Sequence, residues 1–422
     1  MKRYVRPHVL LFAYYFPPMG GMGSLRARGF ARHLPEAGAS VTVIAPRTGT
    51  YGHDRSLDLP AGVEVVRTGT LEPGVLLRPA WREDGAAPRA GEERPGHLRR
   101  ALRFFLHVPD PNVGWVPGAA AAGIAAAARR RPDILLSSSP PLSAHLAGAI
   151  AAARLRLPHV LDVRDFPRCQ RMFGGVRGRL DAALFDRVLR GAAGVVSTSG
   201  VILADLATRT TAPRLLLLNG YDEEDFAGPA PQPPDGTFRV AHVGSTYGRH
   251  VDHRPLFAAA RRLHEAGTPI RLRFAGVADD AVREAIRAEG VAGIAEVVGF
   301  VPHARAVAEL RAARAVLLVF WGDRPAADSA VIVGKTFECL RAGPPVLALG
   351  PAGCEGERLL ARLGGAVFRN AADEAGIAAT LADFAAGRVP PRPDPDRLLE
   401  YTRRAGAARL SEWLAGLVGS GR

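Results

Sequence analysis

The sequence predicts an α/β protein made of two doubly wound, Rossmann-like domains. Short, nearly continuous apolar runs alternate with Ala-rich, Arg-studded stretches of helical length. That is the pattern of parallel strands buried on both faces and joined by crossover helices. The alternation stops at Ala227–Thr237, a segment dominated by Pro and Gly, and then starts again. The length of 422 residues exceeds what one core organises and suits two domains of about 200 residues each.

In the first half the expected strands are His8–Ala13, Ser40–Ala45, Asp133–Ser137, His159–Val163, Gly194–Ser199 and Arg214–Asn219. Ser24–Ala37, Gly118–Arg130, Leu142–Leu155 and Val176–Gly191 have helical length between them. In the second half the strands are Phe238–Val243, Ile270–Ala275, Glu296–Val298, Ala315–Phe320, Pro345–Leu349 and Ala366–Arg369, with helices at Pro255–Ala266 and Asp280–Ala288. The domains are therefore 1–226 and 238–393, joined by a linker at 227–237. Residues 394–422 form a terminal helical segment expected to cross back to the first domain. Arg82–Gly96 is the long polar stretch of the first half and reads as a loop or insertion. Two such domains are expected to face one another across a cleft at the carboxyl ends of their strands.

Composition excludes several classes. The formal net charge is +14, yet Lys2 and Lys335 are the only lysines. A bias toward Arg with abundant Ala, Gly and Pro reads as a GC-rich bacterial source, and the arginines do not cluster into a nucleic-acid footprint. Cys169, Cys339 and Cys354 are widely spaced and have no His partners at metal spacing. The expectation is a reduced, cytoplasmic protein without structural zinc. Lys2, Arg3 and Arg6 before Val9–Phe16 superficially resemble a secretion signal, but the run leads into Pro17-Pro18-Met19-Gly20-Gly21 and suits a first strand and its loop. No uncharged apolar stretch reaches the roughly 18 residues of a membrane-spanning helix without a proline break.

The loop Phe16–Gly23 follows the first strand and precedes a helix, so its glycines let backbone N–H groups approach a ligand at a helix N-terminus. It lacks the G-x-G-x-x-G spacing, and by itself it reads equally well as a tight turn. The run Leu10–Gly21, then Arg26, then Gly38–Ala45, resembles the opening of glycosyltransferase family 4 enzymes of the GT-B fold. Gly334–Leu347 is similar to that family's donor-binding helix and the strand after it. Asp133–His145, Asp162–Asp165, Asn219–Asp222, Val243–Ser245 and Gly299–Val301 match between them, in order.

The resemblance implies an acceptor-binding first domain and a nucleotide-sugar-binding second domain. Glu338 would accept hydrogen bonds from the nucleotide ribose, and Lys335, on the same helical face, would offer a compact charge to the diphosphate. Gly20, Gly21, Arg249 and Val301 complete the expected donor set, with Arg254 a weaker phosphate candidate. His145 would contact the transferred sugar, although a packed structural histidine fits the same position. Tyr15, Met19, Asp162, Arg164 and Asp165 are the candidate acceptor residues; the last three alternatively pair with one another. The family carries a further glutamate where this chain has Ala330, and Asp328 is the nearby substitute.

No Asp-x-Asp element ends a strand. A metal-dependent diphosphate site is therefore not expected, and the resemblance implies a retaining glycosyltransferase using a UDP- or GDP-linked sugar as co-substrate. Its acceptor would be a small, soluble natural product with a hydroxyl, amine or thiol. A surface-polysaccharide or lipid-linked acceptor is the alternative, and the excess arginine would aid peripheral contact with an anionic membrane. A nucleotide-sugar epimerase or hydrolase and an inactive binding scaffold also remain open. No nucleic-acid partner is expected, and the chain would be a monomer or homodimer.

Overall fold

A computed structural model of the chain describes residues 6–47, 52–72, 108–165, 175–229, 231, 236–247, 250–276, 280–321 and 332–420. It divides into two compact units, Met1–Leu218 with Arg403–Arg422, and Asn219–Thr402. The Arg82–Gly96 stretch, Cys169 and parts of the expected linker lie outside the described residues.

The first unit holds a seven-stranded parallel sheet of order β3-β2-β1-β4-β5-β6-β7. Its strands are β1 (His8–Ala13), β2 (Ser40–Pro46), β3 (Glu64–Thr68), β4 (Ile134–Ser139), β5 (His159–Val163), β6 (Gly194–Ser197) and β7 (Arg214–Leu216). The crossovers include α1 (Met22–Glu36), α2 (Val116–Arg129), α3 (Leu142–Leu155), α4 (Gly175–Arg190) and α5 (Gly200–Ala207). Strand β1 shows why an unbroken apolar run was needed. Val9, Leu11 and Ala13 pack into one layer with Phe30, Ala31 and Leu34 of α1. Leu10 and Phe12 point the other way, against Trp115, Ala119 and Ala144.

Strand β3 was not foreseen. Its sequence EVVRT has only two apolar residues, flanked by Glu64 and Arg67, and as an edge strand it is only half buried, so it lacks the continuous apolar signal. Strand β4 runs two residues further than expected, because Ser138 and Ser139 continue the pairing opposite Asp162 and Val163.

The second unit holds a six-stranded parallel sheet of order β10-β9-β8-β11-β12-β13. The strands are β8 (Phe238–Val243), β9 (Ile270–Ala275), β10 (Ala295–Gly299), β11 (Ala315–Val319), β12 (Val346–Gly350) and β13 (Ala366–Asn370). Helices α6 (Arg254–Glu265), α7 (Asp280–Ala288), α8 (His303–Arg311), α9 (Thr336–Arg341), α10 (Glu355–Leu363), α11 (Glu374–Ala385) and α12 (Pro395–Leu399) accompany them. The terminal segment is two helices rather than one, and the second, α13 (Arg403–Ser420), belongs to the first unit. There Leu410 and Leu414 join the layer of α1. Among the described residues no helix is long and apolar enough to cross a membrane.

The units divide at Leu218/Asn219, eight residues ahead of the expected end of the first domain. Side chains explain the shift. The Glu223 carboxylate accepts from Arg341 at 2.8 and 3.0 Å and from the Tyr221 hydroxyl at 2.8 Å, and Phe226 lies under the same guanidinium. Residues 219–226 are thereby held on α9. At the other end Tyr401 stacks on Phe337 of α9, ring centroids 4.5 Å apart, so α12 stays with the second unit.

A buried ion pair organises the first unit. Arg26 of α1 donates to both oxygens of Asp162 on β5, and Ser138 of β4 donates to the same carboxylate at 2.7 Å. The guanidinium also reaches the Leu217 and Leu218 carbonyls beyond β7. Burial pushes the Asp162 carboxyl up, but Arg26, Arg164 and the Ser138 hydroxyl together outweigh it and hold the group below the usual range. Asp162→Ala should cost about 3 to 5 kcal/mol in urea unfolding, because it leaves a buried guanidinium without its counter-charge. The double variant Arg26→Met, Asp162→Leu should lose clearly less; equal losses would show that the pairing itself is not what matters.

Candidate functional site

In each sheet the strand order reverses at one point, between β1 and β4 in the first and between β8 and β11 in the second. Loops leaving adjacent carboxyl ends diverge there, which opens the crevice where doubly wound sheets bind ligands.

In the first unit β1 runs into the glycine loop. The Met19 N–H donates to the Phe16 carbonyl at 3.1 Å and the Gly20 N–H to Gly52 at 2.9 Å, so the loop is closed from both sides. Gly21, at φ 85°, turns the chain into α1. A Cβ at Gly23 would stand 3.1 Å from the Tyr15 ring and 3.2 Å from an Arg164 nitrogen. Glycine therefore lets Tyr15 and Arg164 close over the first turn of this helix. Arg164 is oriented by donating to the Ser139 carbonyl at 2.7 Å and the Pro140 carbonyl at 3.1 Å.

Five of the expected residues, Tyr15, Gly20, Gly21, Arg164 and the half-buried Asp165, are accordingly placed around the start of α1 or at the end of β5. Two others are directed elsewhere. Met19 is turned into the core, 2% exposed. The Asp162 carboxylate is committed to Arg26 and Ser138, a partner 136 residues away that no local spacing indicated.

His145 lies in the first turn of α3, fully buried. Its Nδ1 is 2.7 Å from the Ser137 hydroxyl, which is also 2.7 Å from Nε2 of His159. Nε2 of His145 has no hydrogen-bond partner among the described residues. Burial drives the imidazole down to about 3, opposed by the Asp162 charge, so the ring is neutral at ordinary pH. The start of α3 is itself occupied: the Asp110 carboxylate accepts from the Ser143 N–H at 2.9 Å and its hydroxyl at 2.7 Å.

In the second unit three neighbouring strands end in glycines with positive φ, Gly244 at 89°, Gly276 at 146° and Gly299 at 89°. A Cβ on Gly276 would lie 2.2 Å from the Gly244 carbonyl oxygen, so any side chain would force the turns apart. Val301, half buried, follows the third turn.

Lys335 precedes α9 and is 5% exposed. Its Nζ donates to the carbonyls of Val243 at 2.5 Å and Ser245 at 3.4 Å. It also stands 3.0 Å from His242 Nε2. His242 Nδ1 is 3.0 Å from the Leu317 carbonyl and Nε2 is 2.9 Å from the Ser245 carbonyl, so both ring nitrogens face acceptors while Nε2 also faces the lysine. Among the described residues no carboxylate forms an ion pair with this ammonium, and burial pushes it down to about 8. Glu338 lies one turn further along α9, also buried.

Tyr247, left-handed at φ 54°, stacks on Trp321 with ring centroids 5.7 Å apart, and its ring is 5.9 Å from Lys335 Nζ. These aromatics carry no motif and were missed from the sequence, as were Ser137, His159 and His242. Arg254 faces solvent in a bidentate pair with Asp252. Arg249, Asp328 and Ala330 lie outside the described residues.

Solved structures share this architecture over nearly the whole chain. Sucrose-phosphate synthase from Thermosynechococcus elongatus aligns over 98% of this chain and 100% of its own at 15% identity, TM-score 0.65. Anabaena HepE in complex with UDP-glucose aligns over 98% and 99% at 14% identity, TM-score 0.58. WaaG, a glycosyltransferase involved in lipopolysaccharide biosynthesis, aligns over 98% of both chains at 15% identity, TM-score 0.56. Residues 20–220 match the family model of the glycosyl transferase 4-like domain. The chain carries a glycosyl transferase 4-like domain over those residues and has the two-sheet GT-B fold of these structures. Among curated proteins no sequence matches it.

The matched region contains Gly20, Gly21, Arg26, His145 and Asp162. Lys335 makes the second unit pH-sensitive. Below pH 8 the ammonium is charged in both folded and unfolded chains, and its burial cost is present in full. Between about 8 and the ordinary 10.5 the unfolded chain holds a proton that the folded protein has lost, so this contribution to stability rises with pH. Relative to Lys335→Met, the wild type should gain about 3 kcal/mol in urea unfolding across that window. Parallel pH profiles for the two proteins would contradict the assignment.

Proposed function

We propose that this protein moves a sugar from a nucleotide diphosphate to a small acceptor without needing a metal ion. The observation that carries the reading is the Lys335 ammonium, buried beside Gly244 with neutral carbonyls and an imidazole as its hydrogen-bond partners. A buried cation of this kind is stabilised when an anion arrives, and a diphosphate supplies one. Glu338, one helical turn away, suits the vicinal hydroxyls of a ribose. Arg249 adds a second cation on this reading. Val301 borders the base. These groups offset the charge of the leaving diphosphate in the role a metal takes elsewhere.

The donor is a UDP-linked sugar on this reading, with GDP the other candidate; HepE, of the same fold, is known in complex with UDP-glucose. Nε2 of His145 addresses the transferred sugar on this reading, and Asp328 takes the role of the glutamate replaced by Ala330. Tyr15, Arg164 and Asp165 line the acceptor side for a natural product bearing a hydroxyl, amine or thiol. Transfer proceeds with retention of configuration, in a cytoplasmic monomer or homodimer.

A lipid-linked acceptor is the second reading, and one surface favours it. The exposed side of α4 carries Leu180 and Ala183 together with Arg179, Arg187 and Arg190. Apolar residues among arginines suit an anionic bilayer. Salt-dependent binding to anionic vesicles, lost on Leu180→Asp, would decide for this acceptor class.

Calorimetric titration with UDP, GDP, ADP and dTDP in EDTA tests the donor site. UDP should bind, and Lys335→Ala and Glu338→Ala should each weaken it by about 1 to 3 kcal/mol. Affinity unchanged in both variants would remove the donor-site assignment. Binding restored only by added divalent cation would remove metal independence.

A further inference from the structure

Ser137, His159 and Gly148 have no part in the function as stated, yet they build a buried hydrogen-bonded chain that ends on His145. Ser137 on β4 places its hydroxyl 2.7 Å from both His145 Nδ1 and His159 Nε2. Burial holds both imidazoles down to about 3, so each ring carries one proton and presents one donor and one acceptor. A hydroxyl has one hydrogen. It can donate to one ring and accept from the other, or accept from both, but it cannot donate to both. The proton arrangements of His159 and His145 are thereby coupled through one hydroxyl.

Three arrangements satisfy this count. In the first, His159 Nε2–H donates to Ser137, Ser137 donates to His145 Nδ1, and His145 carries its proton on Nε2. In the second both bonds are reversed, and in the third both rings donate to Ser137; in each of these His145 Nε2 is a bare acceptor. That nitrogen is fully buried and lacks a partner among the described residues. An unpartnered buried polar atom is costly, and here it is the end of the chain a ligand would complete. Sugar ring and glycosidic oxygens only accept, whereas hydroxyls do both, so an N–H at Nε2 can engage any oxygen of a sugar.

Position 148 supports a built device. A Cβ at Gly148, one helical turn after His145 on α3, would lie 2.5 Å from Nε2 of His159. The absence of a side chain lets the His159 ring reach Ser137.

We propose that Ser137 and His159 are positioning residues that lock His145 into the Nε2–H tautomer and so present a hydrogen-bond donor to the transferred sugar. The function rests on the reading that His145 serves that sugar; the tautomer does not depend on it.

The test uses the full chain labelled with 15N-histidine, with ring nitrogens read by NMR and the His145 signals identified by their loss in His145→Ala. Wild type should show one His145 tautomer, protonated at Nε2. Ser137→Ala, and independently Gly148→Ala, should give a mixed or reversed tautomer, and Ser137→Thr should restore the wild-type signals. A wild-type ring protonated at Nδ1, or Ser137→Ala spectra identical to wild type, would overturn the proposal. Release of UDP from UDP-glucose, read on the same proteins, separates the two claims. Ser137→Ala should lower kcat by at least about tenfold with UDP affinity unchanged, and Ser137→Thr should recover it. If His145→Ala releases UDP at the wild-type rate, the assignment of His145 to the sugar fails while the tautomer result stands on its own.

Discussion

The first domain depends on one buried ion pair. Arg26 and Asp162 come from α1 and β5, and the hydroxyl of Ser138 on β4 and two carbonyls beyond β7 complete their hydrogen bonding. Removing a guanidinium and a carboxylate from water is unfavourable unless every donor and acceptor is met, so the pair is tolerated in only one arrangement of these four elements. That arrangement fixes where α1 begins. The glycine loop, the Tyr15 ring over Gly23 and the Arg164 guanidinium beside it all follow from that placement.

The second domain treats its buried charge differently. Lys335 reaches two carbonyls and a neutral imidazole, partners that orient the ammonium without neutralising it. In the first domain charge serves architecture, because the counter-ion is part of the fold. In the second the same physics leaves positive potential at the ends of β8 and its neighbours, among glycine turns that keep side chains out of the way. The histidines repeat the contrast. His242 is held among the Leu317 and Ser245 carbonyls and the Lys335 ammonium, whereas His145 shares one hydroxyl with His159 and leaves Nε2 without a partner among the described residues.

Much of the fold was legible in the sequence, since strands buried on both faces must be apolar throughout. The strands at His8–Ala13, His159–Val163, Phe238–Val243 and Ile270–Ala275 stand where their composition put them. The half-exposed β3 was illegible because Glu64 and Arg67 leave it only two consecutive apolar residues. The site was legible where it depends on local chain geometry: a glycine loop after β1, and Lys335 with Glu338 on one helical turn. Met19 and Asp162 bore the same local signals, but the first faces the core and the second answers Arg26. A pairing across 136 residues leaves no trace in spacing.

The sequence by itself therefore determined the class of fold, the order of its elements and the residues able to carry charge or turn the chain sharply, because these follow from periodicity and backbone sterics over a few residues. Only the tertiary structure decided where each unit ends, since Glu223 and Tyr401 find their partners on α9 and draw their segments into the second unit. Tertiary packing also decided which polar groups are consumed by the fold and which are held ready. Arg26 and Asp162 satisfy one another, while His145 Nε2 is buried without a partner among the described residues. Hydrogen bonds and ion pairs act over about 3 Å, and residues distant in sequence come that close only once the sheets have formed.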